Sequence, residues 1–239
     1  MTIEGDGPAN GTEGVDVGVT AVVPAGEVPP CREVFGDLGT LALIERYRTG
    51  SGAIDGRVLG LAPGHLHREF DGGDGCGRWS CSAVLGHIAD AEMVNAMRMR
   101  RVMAEEGPEL GNWDEEGFVS RGLYGPATGG VGGPSPGGVA GGRPAGGFVA
   151  MVHTTRLWMG QYLATVPEAD WSRVGLHGVE GPLSLRALLE RTVWHLEHHA
   201  WFLRRKLDVL LGEGVGGSGA AGRPAGGGCG PGCGCVGRG

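Results

Sequence analysis

The chain has 239 residues, enough for one large domain or two small ones, and its 51 glycines are roughly three times the ordinary usage. The formal net charge is -7 at pH 7, from 20 Lys and Arg against 27 Asp and Glu, so there is no basic field to attract nucleic acid and no nucleic-acid partner is expected. No stretch approaches the roughly 18 to 20 uninterrupted apolar residues of a membrane span, so no membrane partner is expected either.

The first 30 residues mix glycine, proline and acidic side chains without periodicity and contain no Lys or Arg. They lack the positively charged start and the apolar run of a secretory signal, so we expect a cytoplasmic protein. A segment of this composition buries too little apolar surface to offset the entropy of ordering. Residues 1–30 are therefore predicted to be disordered, and the folded domain is predicted over residues 31–212.

Two helices are predicted in the first half of the chain. The segment 38–61 has an apolar pattern compatible with a helix, but its middle is expected to bend or break because glycines interrupt it, at Gly50, Gly52 and Gly56. The second helix has clearer limits. Ser80 is a natural N-cap, and apolar residues follow at intervals of three and four as far as Gly107 and Pro108.

A glycine-rich insertion separates these two helices from two more. Residues 125–147 contain eleven glycines and four prolines, and we expect this segment to form a disordered loop. A third helix is predicted from about Phe148 to Val166, ending before Pro167.

The last helix is predicted from Ser184 to about Leu211. Its apolar stripe carries His195 and His199 at inward-facing positions. No alternating strand pattern of any length occurs elsewhere, so the simplest architecture buries the apolar stripes of four helices against one another. The predicted fold class is all-α, a four-helix bundle.

The C-terminal segment 213–239 is predicted to be a disordered tail, because thirteen glycines follow residue 213. Its cysteines, Cys229, Cys233 and Cys235, can gather around a soft ion such as zinc or copper(I), since glycine lets the chain wrap tightly. The alternative is an unstructured tail whose cysteines have no dedicated role. Cys81, in the first turn of the second helix, is interpreted either as a reactive thiolate favoured by the helix dipole or as a small packed residue.

Three segments of the sequence resemble the DinB-like superfamily of bacterial metal-binding bundles. They are GRWSCSAVLGHIADAE at 77–92, followed by Arg98, DWSRVGLHGVEGPLSLRALL at 170–189 and WHLEHHAWFL at 194–203. LIERYRTG resembles the opening helix of the family. The resemblance spans roughly residues 35–211, interrupted by the glycine-rich insertion.

The resemblance implies a divalent metal, zinc or nickel, held by His87, His195 and His199. Residues four apart on a helix lie one turn above each other, so the last two histidines can offer imidazole nitrogens to one ion. Three neutral ligands leave the charge of the ion undiminished and at least one coordination position open, so that a bound water or thiol loses its proton near neutral pH. The alternative is that each histidine is a hydrogen-bonded core residue.

Other polar residues are weaker candidates for the site. Glu92 follows His87 on the same helix and is interpreted either as a carboxylate that orients a ligand imidazole or as part of a solvated acidic face. His177 either approaches the mouth of the site or lies exposed in a loop. His198 is expected on the flank of the site, since it is rotated about 100° from its neighbour on the helix. No ligand role is assigned to His65, His67 and His153.

Relatives of this kind transfer thiols such as bacillithiol, mycothiol or glutathione, so the resemblance implies a metal-dependent transferase or isomerase with a small-molecule substrate. In the hydrolase variant of this mechanism, the ion activates a water molecule instead of a thiol. The alternatives are a metal-binding or stress-associated protein without turnover, or a structural bundle with vacant histidines. The sequence leaves open whether the protein forms a homodimer. An anionic cofactor would need basic residues that face the cavity, for which the candidates are Arg98, Arg100, Arg101 and Arg121.

Overall fold

The computed structural model describes residues 28–72, 75–125 and 145–212. These ranges contain six α-helices: α1 (Thr40–Thr49), α2 (Pro63–Leu66), α3 (Cys81–Ala104), α4 (Glu115–Ser120), α5 (Ala145–Leu163) and α6 (Leu185–Leu211). The four longer ones, α1, α3, α5 and α6, pack together as a bundle, and this confirms the predicted fold class. None of the helices in these ranges combines the length and apolar character that a membrane crossing requires.

The three segments predicted to be disordered fall wholly or largely outside the described residues. The N-terminal 27 residues, residues 126–144 and the cysteine-containing tail from residue 213 onward are not described. Residues 145–147, which were assigned to the glycine-rich loop, form the first turn of α5 instead. The helix begins early because Ala145 is buried in the apolar core, where it packs with the residues around Phe148.

The first predicted helix is broken where glycines interrupt it. α1 ends at Thr49 and is followed by two 3₁₀ segments, Gly50–Ala53 and Gly56–Gly60. A Cβ atom at Gly50 would lie 2.2 Å from Nη1 of Arg156, so a larger residue here would displace the guanidinium. The break therefore lets α1 pass close to a buried arginine of α5.

The two long helices that face each other, α3 and α6, begin at serine N-caps. The hydroxyl oxygen of Ser80 accepts a hydrogen bond from the backbone N–H of Ala83, and that of Ser184 accepts one from Ala187, each at 3.1 Å. α6 ends at Gly212, whose φ of 73° is in the left-handed region that glycine adopts without strain. Both predicted helix starts are confirmed.

A small sheet was not predicted. Its strands are β1 (Glu109–Leu110), β2 (Val174–His177) and β3 (Gly181–Ser184), in the order β1-β2-β3. β1 is parallel to β2, and β2 and β3 form an antiparallel hairpin that leads directly into α6. Strands of two to four residues are too short to give an alternating pattern in the sequence. The hairpin matters because its turn lies against α6, where Glu180 pairs with Arg191, and this brings His177 near the same arginine.

The apolar core is divided along the bundle into two clusters, one around Leu85 and Leu203 and the other around Leu43 and Leu189. Between them on α5 lies Arg156, whose side chain is fully buried.

The Arg156 guanidinium joins all four long helices. Its Nε donates to Oε1 of Glu92 on α3 at 2.9 Å, and Nη2 donates to the same carboxylate. Nη2 also donates to the carbonyl of Thr192 on α6 at 2.9 Å, and Nη1 donates to the carbonyl of Tyr47 on α1 at 3.1 Å. A single buried cation therefore sets how the four helices are positioned relative to one another.

We predict that Glu92→Ala lowers the free energy of unfolding by about 3 to 5 kcal/mol, because it leaves the Arg156 guanidinium buried without its counterion. Chemical denaturation measures this loss. Glu105→Ala is the matched control, since Glu105 is an exposed partner of Arg101 at the end of the same helix and should matter little. Equal losses in the two variants would contradict the role assigned to Arg156.

Candidate metal centre

Three histidine side chains from α3 and α6 meet inside the bundle. Nε2 of His87 lies 3.0 Å from Nε2 of His195 and 3.2 Å from Nε2 of His199. His87 and His199 are completely buried. The three residues form a group whose ligand atoms all lie within 4.8 Å of one another. The structure therefore brings together the three histidines that the sequence analysis singled out.

The protonation state of these histidines suits a metal. Burial lowers the pKa of His87 to about 4, and burial together with the neighbouring histidines lowers the pKa of His195 and His199 well below 6.5. The rings are therefore neutral at physiological pH, which is the form that binds metal ions. Lone pairs that point at one another repel unless a proton or a cation lies between them.

The spacing of the nitrogens also fits an ion. With bonds of about 2.0 to 2.1 Å, tetrahedral geometry places two zinc-bound nitrogens roughly 3.3 to 3.4 Å apart. The observed separations of 3.0 and 3.2 Å need only a small outward movement to reach that value. The group has the donor type, the charge and the spacing that a divalent metal requires.

Two tryptophans enclose the histidines. The Trp79 ring contacts the His87 ring edge-on at 5.1 Å between centroids and lies parallel to the His199 ring at 6.5 Å. Trp113 stacks on the His87 ring, with 5.6 Å between the centroids. Because these rings restrict the imidazoles and exclude water, charges inside the site interact more strongly than they would in solution.

Glu115, the first residue of α4, is a functional candidate that the sequence analysis missed. Its Oε2 lies 3.8 Å from Nδ1 of His87, and both atoms are buried without a hydrogen-bond partner among the described residues. Burial raises the pKa of Glu115 to about 7, against the attraction of Arg191 and Arg98. The available sequence signal was weak: Glu115 follows Trp113 in an acidic run, and no periodicity relates it to His87.

The structure corrects the interpretation of Glu92. Its carboxylate binds Arg156 and is almost completely buried, so it neither orients a ligand imidazole nor belongs to a solvated face. Asp90, on the same helix, accepts a hydrogen bond from the hydroxyl of Tyr124. The pairing of Glu92 with Arg156 could not be predicted from the sequence, because the two residues are 64 positions apart in the chain.

His177 lies on β2 and is buried rather than exposed. Its Nδ1 accepts hydrogen bonds from the backbone N–H groups of Val179 and Glu180, at 3.3 and 3.2 Å. Burial lowers its pKa to about 4, with further contributions from the nearby Arg98 and Arg191. Since Arg191 also interacts with His195 and Glu115, His177 stands beside the same site.

The remaining histidines lie outside the group of three. His198 packs between the rings of Trp194 and Phe202, each at 5.0 Å, on the flank of the site. His153 interacts with the hydroxyl of Ser51 at the surface. His65 and His67 lie in and directly after α2.

Cys81 is a packed core residue, and the reactive-thiolate interpretation of it is wrong. It is fully buried, and burial raises its thiol pKa to about 11, which outweighs the effect of the helix start. The tail cysteines lie outside the described residues.

Of the four arginines proposed to face a cavity, one lies beside the site. Arg98 is buried and interacts with Glu115. Arg100 lies over the rings of Trp158 and Tyr162 on the outside of the bundle. Arg101 forms an exposed ion pair with Glu105, and Arg121 is exposed at the end of α4.

Comparison with known proteins shows the family and the fold of this chain. The family model described as the DinB superfamily matches residues 47–203. The solved structure of YfiT from Bacillus subtilis, described as a probable metal-dependent hydrolase with an unusual four-helix bundle topology, superposes with a TM-score of 0.59. That alignment has 19% sequence identity and covers 79% of this chain and 96% of YfiT, so it shows a shared fold. A search of curated proteins gives no significant match.

We predict that the protein binds about one divalent ion per chain and that His87→Ala or His199→Ala abolishes this binding, because each variant removes one of three converging nitrogens. Calorimetric titration with cobalt(II) measures the stoichiometry. His198→Ala should lose far less affinity, and the surface variant His153→Ala should bind like the unmodified protein. Equal losses at all four positions would rule out the proposed geometry.

Proposed function

The chain belongs to the DinB superfamily, and from that premise we propose that it is a metal-dependent enzyme that transfers a low-molecular-weight thiol to a small electrophile. The observation that carries this proposal is the convergence of three neutral imidazole nitrogens at 3.0 to 3.2 Å inside the bundle. A structural zinc site would be closed by four protein ligands, whereas three leave a position for an exchangeable ligand. Within the described residues the group has three members.

His87, His195 and His199 would hold the ion, and zinc or nickel suits this donor set. A divalent ion held by three neutral ligands would lower the pKa of a thiol or water bound to it toward neutrality. The protein contributes the neutral form of the histidines, because burial keeps all three unprotonated.

Glu115 is the proton acceptor that we propose for the site. Its Oε2 is buried, has no hydrogen-bond partner among the described side chains and lies next to His87. A general base must lie within hydrogen-bond reach of the proton that it removes, and Glu115 is the carboxylate found beside the centre in the described residues. The Glu115 side chain is 22% exposed, so the accepted proton can leave to solvent.

The tryptophans and the hairpin complete the site. Trp79 and Trp113 keep bulk water away from the histidines, which protects a nucleophile from competing protonation. His177 is fixed by two backbone N–H donors that bond to its Nδ1, so the proton of the neutral ring is on Nε2. The substrate we propose is therefore a small molecule that fits between α3, α6 and the hairpin.

A hydrolase is the second candidate, and Glu115 is the observation that favours it. The same carboxylate can remove a proton from water instead of from a thiol. YfiT, which shares the fold, is described as a probable metal-dependent hydrolase. The two reactions use the same residues and differ in the nucleophile.

We predict that the metal-loaded protein accelerates conjugation of glutathione, bacillithiol or mycothiol to 1-chloro-2,4-dinitrobenzene, measured by absorbance. His87→Ala should abolish the acceleration because the nucleophile then has no activating charge. Glu115→Gln should lower the rate by about 100-fold or more while metal binding persists, because the proton acceptor is lost. His153→Ala is the control and should retain full activity.

Variants of the C-terminal tail give the outcome that would contradict the proposed mechanism. Replacing Cys229, Cys233 and Cys235 by serine should leave the rate unchanged, because the bundle is proposed to hold the reacting thiol. If that replacement removes activity while His87→Ala retains it, the reactive sulfur belongs to the tail and the proposal is wrong. Metal binding without thiol transfer, but with hydrolysis of activated esters, would favour the hydrolase. Metal binding without either reaction would favour a non-catalytic metal-binding protein.

A further inference from the structure

Arg98 is a buried cation whose one charge partner among the described residues, Glu115, attracts it from beyond ion-pair distance. The residue is 7% exposed, and no carboxylate among the described residues lies within ion-pair distance of its guanidinium. Its Nη1 donates to Oδ1 of Asn95 at 3.1 Å and its Nη2 donates to the carbonyl of Gly111 at 2.6 Å, so both acceptors are neutral. Its Nε is buried and has no hydrogen-bond partner in the described part of the chain. A buried charge left unpaired in this way is costly.

The position of Arg98 relates it to the histidine centre. Arg98 follows His87 by eleven residues, which is about three turns, so both lie on the same face of α3. The bond to Asn95 shows that the side chain folds back toward His87. The segment 111–115 covers both ends of this face, because Gly111 contacts Arg98 while Trp113 and Glu115 lie against His87.

We call the region between Arg98 and the three histidines the chamber. The other charged groups around it do not neutralise Arg98. Arg191 is paired with Glu180 of the hairpin, which also pairs with Arg32. Glu115 turns its Oε2 toward His87 and attracts Arg98 only from beyond ion-pair distance. The chamber therefore offers hydrogen-bond donors and one unmatched positive charge.

We propose that the chamber binds the carboxylate of a small ligand, with the Arg98 guanidinium as its counterion and the reacting end of the ligand toward the histidines. The planar fork of an arginine side chain matches a carboxylate, and one unmatched charge fits a singly charged group better than a phosphate. The inference rests on the proposed function for the direction in which the ligand lies. It names the substrate class that the proposed function leaves open.

The helix also sets a length for the ligand. Asn95, where the guanidinium lies, follows His87 by eight residues, or about 12 Å along the helix axis. A molecule such as acetate is too short to reach from the centre to Arg98. The ligand needs a carboxylate separated from its reacting atom by an extended chain of several carbon atoms, carried by the thiol or by the electrophile.

A purely structural role for Arg98 is the competing interpretation, in which its bond to Gly111 only fastens the covering segment. The two roles differ in what they predict for ligand charge. A fastening role makes carboxylate and neutral ligands bind equally well, whereas a counterion role makes the carboxylate bind more tightly.

The test uses the full-length protein loaded with cobalt(II) and two thiols of equal length, 6-mercaptohexanoate and 6-mercapto-1-hexanol. Their dissociation constants are read from the cobalt–thiolate absorption. We expect the carboxylate to bind roughly 10- to 100-fold more tightly, as for a hydrogen bond to a charged group. Arg98→Gln should remove the preference, Arg98→Lys should keep part of it, and the exposed control Arg101→Gln should keep all of it.

Hexanoate, which lacks the thiol, separates the two sources of the carboxylate. Arg98-dependent binding of hexanoate, measured by calorimetry, would place the carboxylate on the electrophile, and Arg98-dependent binding of the mercapto acid alone would place it on the thiol. Equal affinities of the two thiols, together with no Arg98-dependent binding of hexanoate, would overturn the proposal. If Arg98→Gln fails to fold, Arg98→Lys, which keeps the charge but lacks the planar fork, supplies the Arg98-dependent comparison in both measurements.

Failure of the proposed function gives a different result from failure of the Arg98 proposal. If neither thiol changes the cobalt spectrum, the centre does not bind thiols and the transferase proposal fails. The hexanoate measurement still tests Arg98 in that case, because it requires no bond to the metal.

Discussion

The buried guanidinium of Arg156 is the contact on which the rest of the structure depends. It binds the Glu92 carboxylate of α3 and the Thr192 carbonyl of α6, and so fixes these two helices against each other. Glu92 lies five residues after His87, and Thr192 lies three residues before His195. The helix register that satisfies Arg156 is therefore the register that brings the histidines together. Packing of apolar side chains alone would tolerate small shifts that a three-nitrogen site would not.

The facing surfaces of α3 and α6 carry more polar groups than stability alone would favour. His87, His199 and Arg98 are all buried there, and each loses hydration on folding. An ion that binds the folded state and not the unfolded chain would offset part of this loss, because such a ligand raises the free energy of unfolding by mass action. A carboxylate opposite Arg98 would do the same. The interior is thus arranged for ligands, while the two apolar clusters supply most of the folding energy.

The sequence predicts what is set by local spacing. Ser80 and Ser184 could be identified as helix starts, and the spacing of His195 and His199 places both on one face of α6. His87 was added to the predicted metal ligands only through the family resemblance, because local sequence patterns do not show which faces of two helices pack together. The β2–β3 hairpin, the partner of Glu92 and the position of Glu115 were missed for that reason. Each depends on contacts between residues distant in sequence, and the hairpin strands are also too short to leave a pattern.

The central claim is that the histidines, and not the cysteine tail, hold a divalent metal. X-ray absorption spectroscopy of the full-length protein with one equivalent of zinc tests it most directly, because imidazole nitrogen and thiolate sulfur scatter differently and lie at different distances. The account predicts about three imidazole nitrogens at about 2.0 to 2.1 Å, with a further light ligand at the open position. A first shell dominated by sulfur at about 2.3 Å would contradict it.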